Sequence, residues 1–188
     1  VLESKTNGMV DATRNWVITG RERHVARARE GMLPYPQRAL RTPDYLYIIN
    51  FKPDRWPMGD PNNITADTAP NFNTLANNTF ITFGDLDASP TKAWLIGKRN
   101  EPKWKWHYNY AFGKRPREEL FILKSDPDQI KNVAGNPKYA TIKKKLNAQL
   151  MAELKRTGDT RVTGDGSTFD NLPFAGNFRF TPNRPKKK

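Results

Sequence analysis

The chain contains no cysteine. Disulfides, a thiolate nucleophile and cysteine-ligated metal sites are therefore excluded within its 188 residues, and cysteine usage gives no reading of the redox compartment. No apolar run approaches the ~18 residues of a membrane-spanning helix. Histidine is scarce, with only His24 and His107. Carboxylates are in deficit: 19 Asp and Glu face 32 Lys and Arg, which leaves a net charge of +13. Such an excess points to polyanionic partners, namely nucleic acid, an anionic membrane surface or a sulfated polysaccharide. It is equally consistent with a piece of a longer chain whose acidic remainder offsets the charge. The first residue is Val1 rather than methionine, no leader pattern precedes the first element, and the pattern starts midway. The expectation is a piece of a larger protein.

The length accommodates one domain with a real core. Trp16 to Thr19 reads as a short strand stopped by Gly20. Residues 21–34 carry Arg21, Arg23, Arg27 and Arg29 without apolar periodicity and read as a loop. Gln37–Arg41 and Tyr45–Phe51 read as strands, with Pro43 and Asp44 turning between them. The second is almost wholly apolar, as in a strand covered on both faces. Residues 52–82, rich in Pro and Asn, read as a long irregular loop. Ser89 followed by Pro90 predicts a helix to about residue 99, with serine capping and proline at the first helical position. The last strand is Leu120–Leu123. Asp126-Pro127 and Asn136-Pro137 predict two further helix starts, the first helix closed by Gly135. Tyr139, Ile142, Leu146, Leu150 and Leu154 recur at helical spacing and predict a helix over about 137–156 that ends at Gly158. Residues 159–188 form a Gly-, Pro- and Asn-rich tail. Phe169, Phe174, Phe178 and Phe180 imply that it docks on a surface, and the terminal RPKKK is expected to be disordered.

Several residue groups bear on chemistry. The segment GRERHVARAR places His24 among arginines whose planar forks match sulfate or carboxylate; a solvated basic loop is the plain alternative. KWKWHYNY, residues 103–110, alternates lysine with aromatics. This pattern lines single-strand nucleic-acid grooves and stacks equally on sugar rings; the favoured reading is an amphipathic strand with its aromatic side in the core. Glu118 and Glu119 are adjacent on a strand and point to opposite faces, which argues against a paired acid and base and for pairing with Arg115 or Arg117. Asp85 and Asp87 give a weak metal signal.

Three ordered blocks carry a family resemblance: GRERHVARAREGMLPYPQRALRTPDYLYIINFKPDRWPMGDP (20–61), FGDLDASPTKAWLI (83–96) and RPREELFILKSDPDQIKNVAGNP (115–137). They resemble the C-terminal part of sulfatases of the sulfamidase (heparan N-sulfatase) type, with their "YP.RA.RT..Y.YI.NF.P.RWP" run and the later "DP.E..N.A..P" segment. The resemblance runs over roughly residues 10–156. Ile122 departs from it, standing where the family commonly has Asp.

The resemblance implies an α+β fold in which a small antiparallel sheet packs against a C-terminal helix, with long irregular loops. Residues 1–158 would form the sulfatase C-terminal subdomain and residues 159–188 the extended tail. It implies hydrolysis of sulfate esters or N-sulfates of sugars by a formylglycine with calcium. Neither is supplied here: the nearest "C/S-x-P-x-R" match, Ser125 to Gln129, ends in Gln where Arg is required, and the calcium-binding Asp-Asp and Asp-Asn pairs have no counterpart. The chain alone is expected to be inactive and to bind no cofactor. Related sulfamidases carry a histidine in the loop before the "YP.R" strand, which implies a substrate-facing His24 with Arg21, Arg23 and Arg38 beside it. The implied partners are a sulfated saccharide and an N-terminal catalytic domain, with no role for nucleic acid or membrane. The implied location is periplasmic, secreted or lysosomal. The rival reading is a non-catalytic module that binds nucleic acid or a sulfated glycan through its basic loops and KWKWHY.

Overall fold

The computed structural model describes residues 3–171 except 9, 12 and 14. The architecture is α+β. Four strands, β1 (Val17–Arg21), β2 (Gln37–Arg41), β3 (Tyr45–Asn50) and β4 (Glu118–Ile122), form one antiparallel sheet in sequence order. Helices α1 (Phe72–Asn77), α2 (Pro90–Gly97) and α3 (Pro102–Phe112) fill the connection between β3 and β4. Helix α4 (Ala140–Arg156) follows the sheet, and two single turns, α5 (Thr160–Thr163) and α6 (Ser167–Asp170), come last.

The sheet and α4 share one core. Leu40, Tyr47, Ile49 and Leu120 project from one face of the strands and bury Leu146, Leu150 and Leu154 of α4. The stripe read from the sequence is thus the buried face. A second core joins Leu75 of α1, Ala93 and Ile96 of α2, Phe112 of α3 and Phe83 of the connecting loop. Phe83 stacks on Phe112 at 4.6 Å between ring centroids. Lys92 on α2 is buried against this region. Its ammonium donates to the carbonyls of Thr79, Phe83 and Leu86, so all three of its donors are used. Desolvation lowers its pKa to about 8, against the pull of Asp87.

Four expectations are corrected. Gly20 does not stop β1; it pairs with Arg38 on β2, and a Cβ there would meet Arg38 Cδ at 2.9 Å. The glycine leaves room for the arginine to lie across the strand. KWKWHYNY is not a strand but most of α3, with Pro102 in its first turn. Alternation masked the i, i+4 pair Tyr108 and Phe112, which packs into the second core. The long loop of 52–82 contains α1, capped by the Asn71 side chain accepting from Thr74 N–H. Asp126-Pro127 starts no helix. The Asp126 carboxylate accepts from the N–H groups of Ile130 and Lys131, and Gln129 has a φ of 56°. The chain then runs beside β4, with Val133 N–H donating to Leu120 C=O and Leu120 N–H donating to Asn132 Oδ1. By contrast Asn136 does cap, accepting from Lys138 N–H ahead of α4. Phe174, Phe178, Phe180 and RPKKK lie outside the described residues.

Leu146→Ala is expected to destabilise the fold by about 2–5 kcal/mol, the cost of truncating a buried leucine. Chemical denaturation measures it.

Candidate functional site

The segment between β1 and β2 leaves the sheet edge and returns to it, closed by Tyr35 N–H donating to Glu22 C=O at 2.7 Å. Its tip is sewn to two other segments. Asp60 N–H donates to Ala28 C=O, Phe83 N–H to Asp60 C=O and Asp85 N–H to Met58 C=O. Gly59, with a φ of 93°, sits where these backbones meet. A Cβ there would lie 2.7 Å from Gly84 N and 2.8 Å from Ala28 O, so only glycine fits without backbone movement.

The arginines of this region divide by their surroundings. Arg29 is buried; its Nε donates to Trp56 C=O, its Nη2 to Pro57 C=O, and Nη2 pairs with the buried Asp85 carboxylate. The other Asp85 oxygen accepts from Val25 N–H at 2.9 Å and lies 3.6 Å from His24 Nδ1, an ion-pair rather than a hydrogen-bond separation. His24 itself stands out, its side chain 66% exposed. Arg38 is buried between Glu22 and Asp159, at 2.7 and 2.6 Å. Glu22 also pairs with Arg161, Arg161 with Asp170, and Asp170 with Arg55. Six alternating charges therefore join β2, the arginine loop, the segment after β3 and the two final turns. Arg23 donates to Met32 C=O and Phe169 C=O. The expected docking of Phe169 is seen, with the Arg38 and Arg161 guanidinium groups 5.8 and 5.3 Å from its ring centre.

On the sheet face away from α4 lies a cavity of about 220 Å³, lined among others by Arg21, Tyr35, Gln37, Tyr110, Arg115 and Glu119. Arg21 Nη2 donates to Pro57 C=O, the oxygen that Arg29 also uses. Desolvation lowers the Arg21 pKa from its ordinary value, Asp85 opposes this and Arg29 adds to it. Tyr35 is 1% exposed, and its hydroxyl has no hydrogen-bond partner among the described residues. Desolvation, reinforced by Glu119, pushes its pKa up to about 12 against the nearby arginines. At neutral pH the Tyr35 hydroxyl is neutral and closed off from solvent, and the cavity lining carries the Arg21 and Arg115 cations together with Glu119. Glu119 is held by Asn50, which donates to it at 2.8 Å. Glu118, on the opposite face, accepts from Tyr47 O–H and pairs with Lys143. Neither glutamate takes Arg115 or Arg117 as its hydrogen-bonded partner, which corrects that expectation.

Of the sequence-derived site residues, Arg21 lines the cavity, and His24 connects to it through Asp85, Arg29 and Pro57. Arg23 and Arg38 are engaged in tertiary contacts. Tyr35 and Arg115 were missed. Both owe their place at the cavity to tertiary packing, which no local sequence pattern signals. The residues present do not fit the implied calcium: Asp85 is fully engaged by Arg29, Val25 and His24, and no group of three His, Asp or Glu gathers among the described residues. Nor does Ser125 fit a formylglycine precursor, since Gln129 stands where the motif requires Arg. No described helix is long and apolar enough to cross a membrane.

No family model matches the chain. Two curated relatives do, both described as ulvan-active sulfatases of Formosa agariphila. One is 32% identical over 90 residues, 48% of this chain, and the other 37% over 65 residues, 35% of this chain. The chain is related to sulfatases. The matched stretches span 14% and 13% of those relatives' lengths.

Arg38→Met leaves Glu22 and Asp159 short of a buried counter-charge. It is expected to cost about 3 kcal/mol, the lower end for breaking a buried pair, read as a shift in urea midpoint. A second expectation concerns pH. Desolvation alone would raise the Asp170 pKa, but hydrogen bonds from Arg55 and Arg161 outweigh it and hold the group below its ordinary 3.8. A depressed carboxylate stabilises the fold above its unfolded pKa and loses that contribution as pH falls through the folded value. Stability is therefore expected to fall below about pH 4, the ordinary aspartate range. The fall should be shallower in Asp170→Asn, as followed by urea midpoint against pH.

Proposed function

We propose that this chain is part of a sulfatase acting on a sulfated saccharide, and that the arginine loop with the adjoining cavity forms one wall of the substrate pocket. The observation that carries the reading is the pair of cations, Arg21 and Arg115, lining one cavity in a chain related to sulfatases. A sulfate or sugar hydroxyl oxygen is an acceptor for both guanidinium groups. Arg21 and His24 contact substrate in this reading. Arg23 and Arg38 position the loop, since their guanidinium groups are committed to it. The residues that break the sulfate bond, with calcium and formylglycine, come from outside these 188 residues, so the chain alone has no turnover. The relatives' names favour a sulfate ester, with ulvan as the first substrate to assay. The sulfamidase-like blocks bring N-sulfates into the same panel. A periplasmic, secreted or lysosomal location accords with the resemblance.

His24→Ala in the complete enzyme is expected to lower kcat/KM about tenfold or more, or ~1.4 kcal/mol, with an unchanged melting temperature. The loss is the size of one charge-assisted hydrogen bond. Unchanged kinetics with a lowered melting temperature overturns the assignment and makes His24 a structural residue.

A further inference from the structure

Large aromatic side chains are normally covered, but α3 and the facing end of α2 display a belt of them. Trp106 is 49% and Trp94 38% exposed; His107 is exposed, and Trp104 and Tyr110 are half-buried. The rings touch in series. Trp94 meets Trp104 at 4.5 Å, Trp104 meets His107 at 5.2 Å, His107 meets Trp106 at 5.0 Å, and Trp106 stacks on Tyr110 at 5.1 Å. Tyr110, the last ring, also lines the cavity, under the Arg115 guanidinium 5.0 Å from its centre. The core of the second cluster uses Tyr108 and Phe112 instead, so packing does not account for the belt. Helix α3 contains two lysines and no carboxylate. The Lys103 ammonium lies 4.8 Å from the Trp104 ring centre, and Glu101, just before the helix, is neutralised by Lys98.

We propose that this belt is a stacking platform for a sulfated polysaccharide chain, along which the polymer runs into the cavity. The proposal rests on the sulfatase reading for the identity of the polymer. The C–H face of a pyranose ring meets the negative face of an indole favourably. Lysines beside the rings supply charge for sulfates at no fixed orientation. The first three steps of the belt meet at 77°, 55° and 88°, and the last, Trp106 on Tyr110, at 15°. The faces turn over the first three steps and run parallel only at the last. A turning series suits a glycan whose successive sugars rotate better than a single nucleic-acid strand whose bases stack in parallel.

The test uses the complete protein and its Trp106→Ala and Trp106→Phe variants in native gels containing ι-carrageenan, fucoidan, heparin or chondroitin sulfate, each beside its desulfated form. We expect retardation by at least one sulfated polymer and loss of it in the desulfated form. Trp106→Ala should weaken binding about tenfold, and Trp106→Phe should restore most of it. Hydrolysis of a sulfated monosaccharide should not change in either variant. No retardation by any sulfated polymer overturns the proposal, as does undiminished binding by Trp106→Ala or preferential retardation by single-stranded DNA. Indoles shielded from acrylamide quenching in the free protein also overturn it, because another part of the protein then covers the belt. None of these results depends on His24, so a silent His24→Ala with intact belt binding fails the cavity reading alone.

Discussion

A buried guanidinium has to be neutralised, and this constraint organises the arginine-rich half of the molecule. Taking a cation out of water costs several kcal/mol unless a carboxylate and further acceptors replace the solvent. Arg29, Arg38 and Arg161 are all buried, and each has found at least one carboxylate. The Arg29 pair pins the loop to the segments around Pro57 and Asp85. The Arg38 and Arg161 pairs draw residues 159–170 back against the sheet edge. The loop thereby acquires a fixed shape without regular secondary structure, leaving His24 outward and Arg21 at the cavity wall.

The same constraint redistributes charge. Four arginines, at 29, 38, 55 and 161, are balanced by Glu22, Asp85, Asp159 and Asp170. Equal numbers cancel, so the whole excess of +13 falls to the rest of the chain. A field of that sign raises the local concentration of a polyanion and steers its approach, with a strength that falls as salt rises. In the proposed reading the cavity and the aromatic belt have different physical tasks. Point contacts from Arg21 and Arg115 suit a single sulfated sugar, whereas a series of rings suits a polymer.

The sheet and α4 were legible in the sequence because β3 is an almost wholly apolar run bounded by turn residues and the Leu146, Leu150 and Leu154 stripe recurs at the helical period. Ser89 and Asn136 were legible because their caps act locally. Residues whose partners are distant were not. Asp126 carries the same Asp-Pro signal as a helix start, yet β4 takes the following backbone as a neighbour. The alternation of KWKWHY hid Tyr108 and Phe112, and only Pro102 hinted at a helix. For the site, the arginine cluster pointed to the right loop. It gave no means of telling that Arg38 is clamped by Glu22 and Asp159, 16 and 121 residues away, while Arg21 faces a cavity. Tyr35 gains its character only from burial.

The account stands on the loop and cavity contacting a sulfated saccharide. Hydrogen exchange of the complete protein, with and without a sulfated oligosaccharide, reads this most directly. The account predicts slowed exchange at residues 21–25, 33–37 and 110–115 on binding. Saturating ligand that leaves these three segments unchanged while protecting others would contradict it.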